Sequence, residues 1–264
     1  MEIVGYFGAL LIGLVLGLLG GGGSILTVPI MHYILGYSAV TSTAYSLFVV
    51  GSSALVGAGR NAMKGMVDFK TGIVFSIPAF ITVYLTRKYL VPAIPSELFS
   101  VGDFVVTKSI ALMVFFAIVM ILASYSMIKG RKESTEQEPI KNYHFKLVIQ
   151  GIFIGIISGL VGAGGGFLII PALVLMARLP MKRAVATSLM IIAINSLIGF
   201  LGDVQNIEID WSFLLVFTSL SIIGIFIGIY LNKFIDGKKL KKGFGWFVLV
   251  MGIYIVLKEI VLTK

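Results

Sequence analysis

The chain consists of long apolar runs separated by short charged loops. Six of the runs have about the length of one membrane-spanning helix, which needs about 20 apolar residues. They cover residues 40–59, 69–90, 106–128, 184–202, 211–231 and 243–262. Two further apolar regions, 3–36 and 147–177, are too long for one span and too short for two, and glycines interrupt each near its middle. The pattern predicts an all-α integral membrane protein with two broken helical segments.

The composition agrees with a membrane protein and excludes several functions. Of the residues, 58% are hydrophobic and 12% charged, whereas a soluble domain has about 25% charged residues. Since there is no cysteine and only two histidines occur, we expect no metal and no cofactor. The net charge of +9 reflects loop lysines and arginines, and no compact basic domain is present to bind nucleic acid. The spans lack the converging His, Cys, Asp or Glu that an enzyme would need, so we expect no enzyme.

The two glycine-rich interruptions are copies of one another. Gly17-Leu-Leu-Gly-Gly-Gly-Gly-Ser-Ile-Leu-Thr-Val-Pro29 aligns with Gly159-Leu-Val-Gly-Ala-Gly-Gly-Gly-Phe-Leu-Ile-Ile-Pro171 at an offset of 142 residues. The same offset relates Ser46 to Ser188 and Gly57 to Gly199 without a gap. A single offset over this length indicates a duplicated unit. The predicted organisation is a first transmembrane repeat at 1–128, a cytoplasmic linker at 129–146 and a second repeat at 147–264.

The distribution of Lys and Arg favours a re-entrant hairpin for each broken segment. If both segments enter and leave on the same side, 16 of the 21 Lys and Arg lie on one side of the membrane. If both cross fully, the split is 11 to 10, against the positive-inside rule. A hairpin plus three spans is an odd number of crossings, so the second repeat is expected to be inverted relative to the first. Both termini are then outside.

A helix broken at membrane depth leaves backbone N–H groups free, and the new helix begins with the positive end of its dipole. Glycine lets a ligand approach such a backbone closely. The predicted membrane cores contain almost no ionisable side chains, which favours a small anion over a cation as ligand. Close helix packing is the alternative reading of the glycines. A phosphate-binding loop is disfavoured because no Gly-Lys-Ser/Thr follows either run.

Polar residues of spans 40–59 and 184–202 extend the candidate site. Ser46 and Ser53, and their equivalents Ser188 and Asn195, are seven residues apart and so lie on one helix face. Their hydroxyl and amide groups could donate to an oxyanion, or could simply bond neighbouring helices. The candidate substrate-binding residues are Gly21, Gly22, Gly23, Ser24, Thr43, Ser46, Ser53, Gly164, Gly165, Gly166, Thr187, Ser188 and Asn195.

The doubled glycine motif, with Ala186-Thr-Ser-Leu189 and Asn195-Ser196, resembles the TauE/SafE family, also called the sulfite exporter or TSUP family. Tyr45 departs from the family pattern, which has threonine there, and Ser53 differs from its equivalent Asn195. The resemblance implies a multi-pass anion transporter of the bacterial or archaeal cytoplasmic membrane that carries sulfite, sulfonates or related anions. The function expected is therefore a secondary transporter that works by alternating access between the repeats. An anion channel and a carrier of other organic anions such as carboxylates stay open, as does a homo-oligomer.

Overall fold

The computed structural model describes residues 2–101, 104–129, 143–162, 164–175, 179–232, 234 and 237–261, which are mostly helical. The helices are α1 Glu2–Leu19, α2 Ser24–Pro29, α3 Ala39–Met63, α4 Phe69–Leu85, α5 Val91–Ala93, α6 Lys108–Lys129, α7 Tyr143–Val161, α8 Gly166–Leu175, α9 Met181–Asp203, α10 Trp211–Leu231 and α11 Gly237–Val261. α2 and α4 each continue into one π-helical turn, at Ile30–Ile34 and Thr86–Leu90. Within the described residues, five helical stretches are long and apolar enough to cross a membrane. The predicted all-α membrane protein is thus confirmed.

A short β-hairpin lies in the loop between the second and third predicted spans, where the sequence analysis expected no regular structure. Strand β1 (Glu97–Val101) pairs antiparallel with β2 (Phe104–Thr107), and Ser100 faces Val105. The register shifts between Glu97 and Phe99. The predicted linker falls mainly on residues 130–142, which are outside the described residues.

Two helices of equivalent position begin with the same cap. Asp68 precedes α4 and its Oδ1 accepts the Thr71 N–H at 3.0 Å, while Asp210 precedes α10 and accepts the Phe213 N–H at 3.0 Å. An aspartate at this position satisfies a backbone donor that the first helical turn leaves free. The two caps are 142 residues apart, so the duplication extends to the capping residues.

The first broken segment folds back on itself. α1 ends at Gly20, whose φ of +76° is readily adopted only by glycine, and the chain then reverses. A Cβ on Gly23 would lie 2.8 Å from the Leu16 backbone nitrogen, and one on Gly8 would lie 3.1 Å from the Ile30 side chain. α2 and its π-helical turn therefore run back along α1 as a helical hairpin, as the sequence predicts.

The second broken segment turns in the same way. α7 ends at Gly162, with φ +69°, and its N–H bonds to the Ser158 carbonyl at 2.8 Å. A Cβ on Gly165 would lie 3.2 Å from the Ser158 side chain, the same approach that Gly23 makes to Leu16. The left-handed glycine that follows the first helix is thus repeated, but the rest of the turn differs: Gly165 also has a positive φ, whereas its equivalent Gly23 has φ −65°.

The two halves are packed into each other. α1 packs on α10 and α7 packs on α4, so the first helix of each half contacts the fourth helix of the other. α3 packs on α9, and α6 on α11. Glycines permit the close approaches: a Cβ on Gly17 would overlap the α10 backbone, and one on Gly159 would meet Thr86 of α4 at 2.7 Å. Because these contacts recur at the 142-residue offset, the duplication is visible in the packing.

Candidate functional site

The two glycine breaks meet each other. A Cβ on Gly166 would lie 2.7 Å from the Gly21 Cα, and a Cβ on Gly21 would overlap the Gly166 carbonyl group. The backbones can touch only because both residues lack a side chain. Residues about 145 positions apart in the sequence are therefore brought together, as the candidate site requires.

All thirteen predicted site residues are buried. At the first break, however, polar groups form hydrogen bonds with one another. The Gly22 carbonyl accepts the Ile25 N–H at 3.4 Å, and the Gly23 carbonyl accepts the Leu26 N–H at 3.1 Å. The Ser24 hydroxyl donates to the Gly21 carbonyl at 2.7 Å. Ser24 is therefore not the N-cap of α2: Gly23 holds that position without a side-chain cap.

Three of the predicted hydroxyls also have protein partners. Ser188 donates to the Val185 carbonyl at 2.8 Å, and Ser53 donates to Ser221 Oγ at 2.9 Å on α10. Thr43 is likewise bonded within its helix, by donation to a carbonyl at 2.8 Å. The sequence left open that these hydroxyls only bond neighbouring helices, and Ser53 does form such a bond.

Thr187 has a structural partner that explains the unusual Tyr45. Thr187 Oγ1 accepts the Asp68 N–H at 2.9 Å, and the Tyr45 hydroxyl accepts the Asp210 N–H at 2.7 Å. The two pairs are equivalent at the 142-residue offset. A tyrosine thus makes the bond that the threonine makes in the other half, so the departure from the family pattern preserves this contact.

Six buried uncharged polar side chains lack a hydrogen-bond partner within the described part of the chain: Ser46, Ser158, Asn195 and Ser196, in α3, α7 and α9, and the equivalent pair Ser76 and Thr218, in α4 and α10. Ser46 and Asn195 were predicted as site residues. Leaving such a group unsatisfied costs about 1–3 kcal/mol. Ser46, Ser158, Asn195 and Ser196 lie in helices beside the glycine breaks, and folding alone would not favour four unsatisfied groups there.

Ser158 and Ser196 are further candidates for the site, which the sequence analysis did not select. A Cβ on Gly165 would lie 3.2 Å from Ser158 Oγ, and a Cβ on Gly164 would overlap Ser196 Oγ. Both hydroxyls are therefore at the second break. The equivalent positions at the first break carry Leu16 and Ala54. A comparison of the two repeats position by position could have found them, because each is a polar residue where the other copy is apolar.

Three charged side chains at or near the ends of predicted spans are buried, which the sequence analysis did not anticipate. Arg87 and Asp203 are 0% and 2% exposed and form an ion pair, with Nε donating to Oδ2 at 2.6 Å. Glu259 of α11 is 6% exposed and accepts the Tyr33 hydroxyl at 2.8 Å. The π-helical turn after α4 and the packing of α9 bury the Arg87–Asp203 pair. Both carboxylates have a protein donor, so neither is a free cation ligand.

Comparison with known proteins decides the family. A family model described as "Sulfite exporter TauE/SafE" matches residues 5–255. The chain belongs to the TauE/SafE family. It is also similar to a "Probable membrane transporter protein" of Xylella fastidiosa (strain 9a5c), with 28% identity over 93% of this chain and 91% of the relative.

Other relatives have the same kind of description. "Probable membrane transporter protein YunE" of Bacillus subtilis (strain 168) is 27% identical over 94% of this chain and 92% of its own length. "Probable membrane transporter protein MJ0441" of Methanocaldococcus jannaschii is 36% identical over 41% of this chain and 43% of its own length. No solved structure matched the chain. With its apolar helices, this TauE/SafE chain is a multi-pass membrane transporter.

Proposed function

We propose that this TauE/SafE protein is a secondary transporter of small oxyanions, of which sulfite and organosulfonates are the favoured substrates. The anion binds where the two glycine breaks meet, among the thirteen predicted residues together with Ser158 and Ser196. The observation that carries the proposal is the set of buried, unpartnered polar groups beside a glycine backbone. Hydroxyl and amide donors and a helix N-terminus are suited to compact oxyanions.

Alternating access between the repeats is the proposed mechanism. The two halves make equivalent contacts at a 142-residue offset. If each half adopted the contacts that the other half now makes, the site would open to the opposite side of the membrane. Inverted repeats with the site at their interface are a frequent plan among secondary transporters. The protein is proposed to lie in the cytoplasmic membrane with both termini outside, since this orientation places most Lys and Arg inside.

The proposal is tested with purified protein in liposomes and in a thermal-shift assay. The wild type should be stabilised by sulfite, sulfoacetate or a related anion, and should exchange internal for external substrate. Failure of sulfite, sulfonates and carboxylates alike, in both assays, would refute anion transport. Stabilisation by carboxylates alone would refute the sulfur-anion assignment, and single-channel currents would indicate a channel in place of a carrier.

The site itself is tested with Ser158→Ala and Ser196→Ala. Because each hydroxyl has no protein partner, its removal should leave thermal stability unchanged or slightly higher while the anion-induced shift falls. Ser124→Ala is the matched control, because Ser124 is equally buried but bonds to the Ile121 carbonyl within α6. If both site variants respond to the anion as the wild type does, the anion binds elsewhere.

A further inference from the structure

Arg87 lies in the π-helical turn that follows α4, and no larger side chain in the described residues is fully buried. Its guanidinium reaches three helices at once. Nε donates to Asp203 on α9, while Nη1 donates to Thr43 Oγ1 on α3 at 3.0 Å and to the Gly159 carbonyl on α7 at 3.2 Å. π-helical turns are frequent at functional sites because they displace a side chain from its regular helical position.

The contacts of Arg87 place its charge beside the second glycine break. Thr43 packs on Gly162, where a Cβ would overlap the Thr43 side chain. Gly159 is three residues before Gly162, in the last turn of α7. The guanidinium is therefore next to the segment that also has the unpartnered hydroxyls of Ser158 and Ser196.

The first break has no such cation. At the 142-residue offset Arg87 corresponds to Ile229, Thr43 to Val185 and Asp203 to Asn61. Both breaks begin with a left-handed glycine, but Arg87 and the unpartnered hydroxyls of Ser158 and Ser196 lie at the second break. At the first break, the hydroxyls of Ser24 and Ser188 are bonded to backbone carbonyls. The two breaks that meet therefore differ in charge and in available donors.

We infer that Arg87 binds the transported anion at the second glycine break, and that Asp203 forms the ion pair with the guanidinium when no anion is bound. The inference rests on the proposed oxyanion transport, and it identifies the residue that neutralises the negative charge of the substrate. A planar guanidinium presents paired N–H donors that match the oxygens of sulfite, a sulfonate or a carboxylate. The Asp203 carboxylate, like the proposed ligand, is an anion that accepts N–H donors through its oxygens.

Because Arg87 is buried, its charge always needs an anionic partner, which is either Asp203 or the substrate. A buried guanidinium without a counter-charge is strongly unfavourable, so Asp203 is released only as the substrate arrives. Release removes the ion pair between α9 and the π-helical turn after α4, while the packing of α4 on α9 remains, so the two elements can shift relative to each other. Anion binding at Arg87 is thereby coupled to a movement between the two repeats.

The first test removes the internal competitor. In Asp203→Asn, the anion no longer competes with a carboxylate, so the apparent Kd for sulfite or sulfoacetate should fall about tenfold or more. This variant should also unfold at a lower temperature without anion and recover more than the wild type when anion is added. Glu259→Gln is the matched control, because it removes another buried carboxylate that bonds Tyr33 instead; its anion response should equal that of the wild type.

The second test separates binding from structure. Arg87→Gln should lose the anion-induced shift and transport, and the neutral double variant Arg87→Gln/Asp203→Asn should fold while still failing to bind. If the pair is only structural, the double variant regains wild-type binding and transport, which overturns the inference. Unchanged affinity in Asp203→Asn overturns it as well, while anion transport by the wild type still stands. A wild type without any anion response refutes the proposed function itself.

Discussion

At the scale of single residues, equivalent positions in the two halves have different hydrogen bonding. Ser53 donates to Ser221, whereas its equivalent Asn195 has no partner among the described residues. The position equivalent to Ser221 is Ala79, which has no hydroxyl to offer. The polar group of Asn195 is thus retained at a cost in stability, as expected of a residue that serves a ligand.

Asn195→Leu should separate these two roles. The substitution keeps the approximate shape and removes two unsatisfied polar atoms, so the free energy of unfolding should rise by about 1–3 kcal/mol, while the thermal shift with sulfite or a sulfonate should shrink. Ser53→Ala, the control at the equivalent position, should lose about 1 kcal/mol of stability and keep its anion response. A full anion response in Asn195→Leu would remove Asn195 from the site.

At the scale of elements, the glycine breaks determine how closely the hairpins approach. Gly20 and Gly162 supply the positive φ that ends α1 and α7, while Gly21 and Gly166 supply the backbone contact between the breaks. These are two separate requirements for glycine, one conformational and one steric. Each turn therefore needs more than one glycine.

Gly21→Ala should disturb the steric requirement alone, because Gly21 does not have a positive φ. The added methyl group would overlap the Gly166 carbonyl, so we expect a loss of about 1–3 kcal/mol in stability and a loss of anion exchange in liposomes. Gly59→Ala, in α3, is the control: nothing lies within 4 Å of its Cβ, and stability should rise by up to about 1 kcal/mol. Wild-type exchange by Gly21→Ala would show that close contact of the breaks is unnecessary.

At the scale of the whole molecule, the halves share a backbone plan and differ in chemistry. The helix caps, the left-handed turns after α1 and α7, and the crossed helix contacts all recur at the same offset. The buried Arg87–Asp203 pair and the unpartnered Ser158 and Ser196 have no counterparts at the offset, where Ile229, Asn61, Leu16 and Ala54 stand. A duplicated scaffold can therefore carry a single asymmetric site.

The proposed topology is tested by single-cysteine labelling, for which the chain is suited since it has no native cysteine. Lys64→Cys and Lys182→Cys, in exposed positions of different halves, should both react with an impermeant maleimide only from the inside. Glu208→Cys, also exposed, should react only from the outside. Labelling of Lys64→Cys and Lys182→Cys from opposite sides would instead indicate that the second broken segment, which lies between them, crosses fully.

The sequence by itself determined the membrane class, the broken helices and the duplication, because hydropathy and glycine patterns are local properties of the chain. Predicted span 211–231 coincides with α10, and the other spans agree with their helices within a few residues except at the start of α11. Contacts between the helices recur at the repeat offset. Each glycine-rich segment is broken into two helices, as expected, and the first folds back on itself.

Only the tertiary structure decided which polar groups have partners and which do not. Thr187 and Ser53 carry hydroxyl groups like the unpartnered candidates Ser46 and Ser158, but their partners Asp68 and Ser221 come from segments far away in the sequence. Arg87 and Asp203 lie at the ends of predicted spans, where hydropathy gives no sign of burial, and they become a buried pair because a π-helical turn and helix packing bring them together. Hydrogen bonding and burial depend on neighbours far away in sequence, and a linear pattern contains no record of those neighbours.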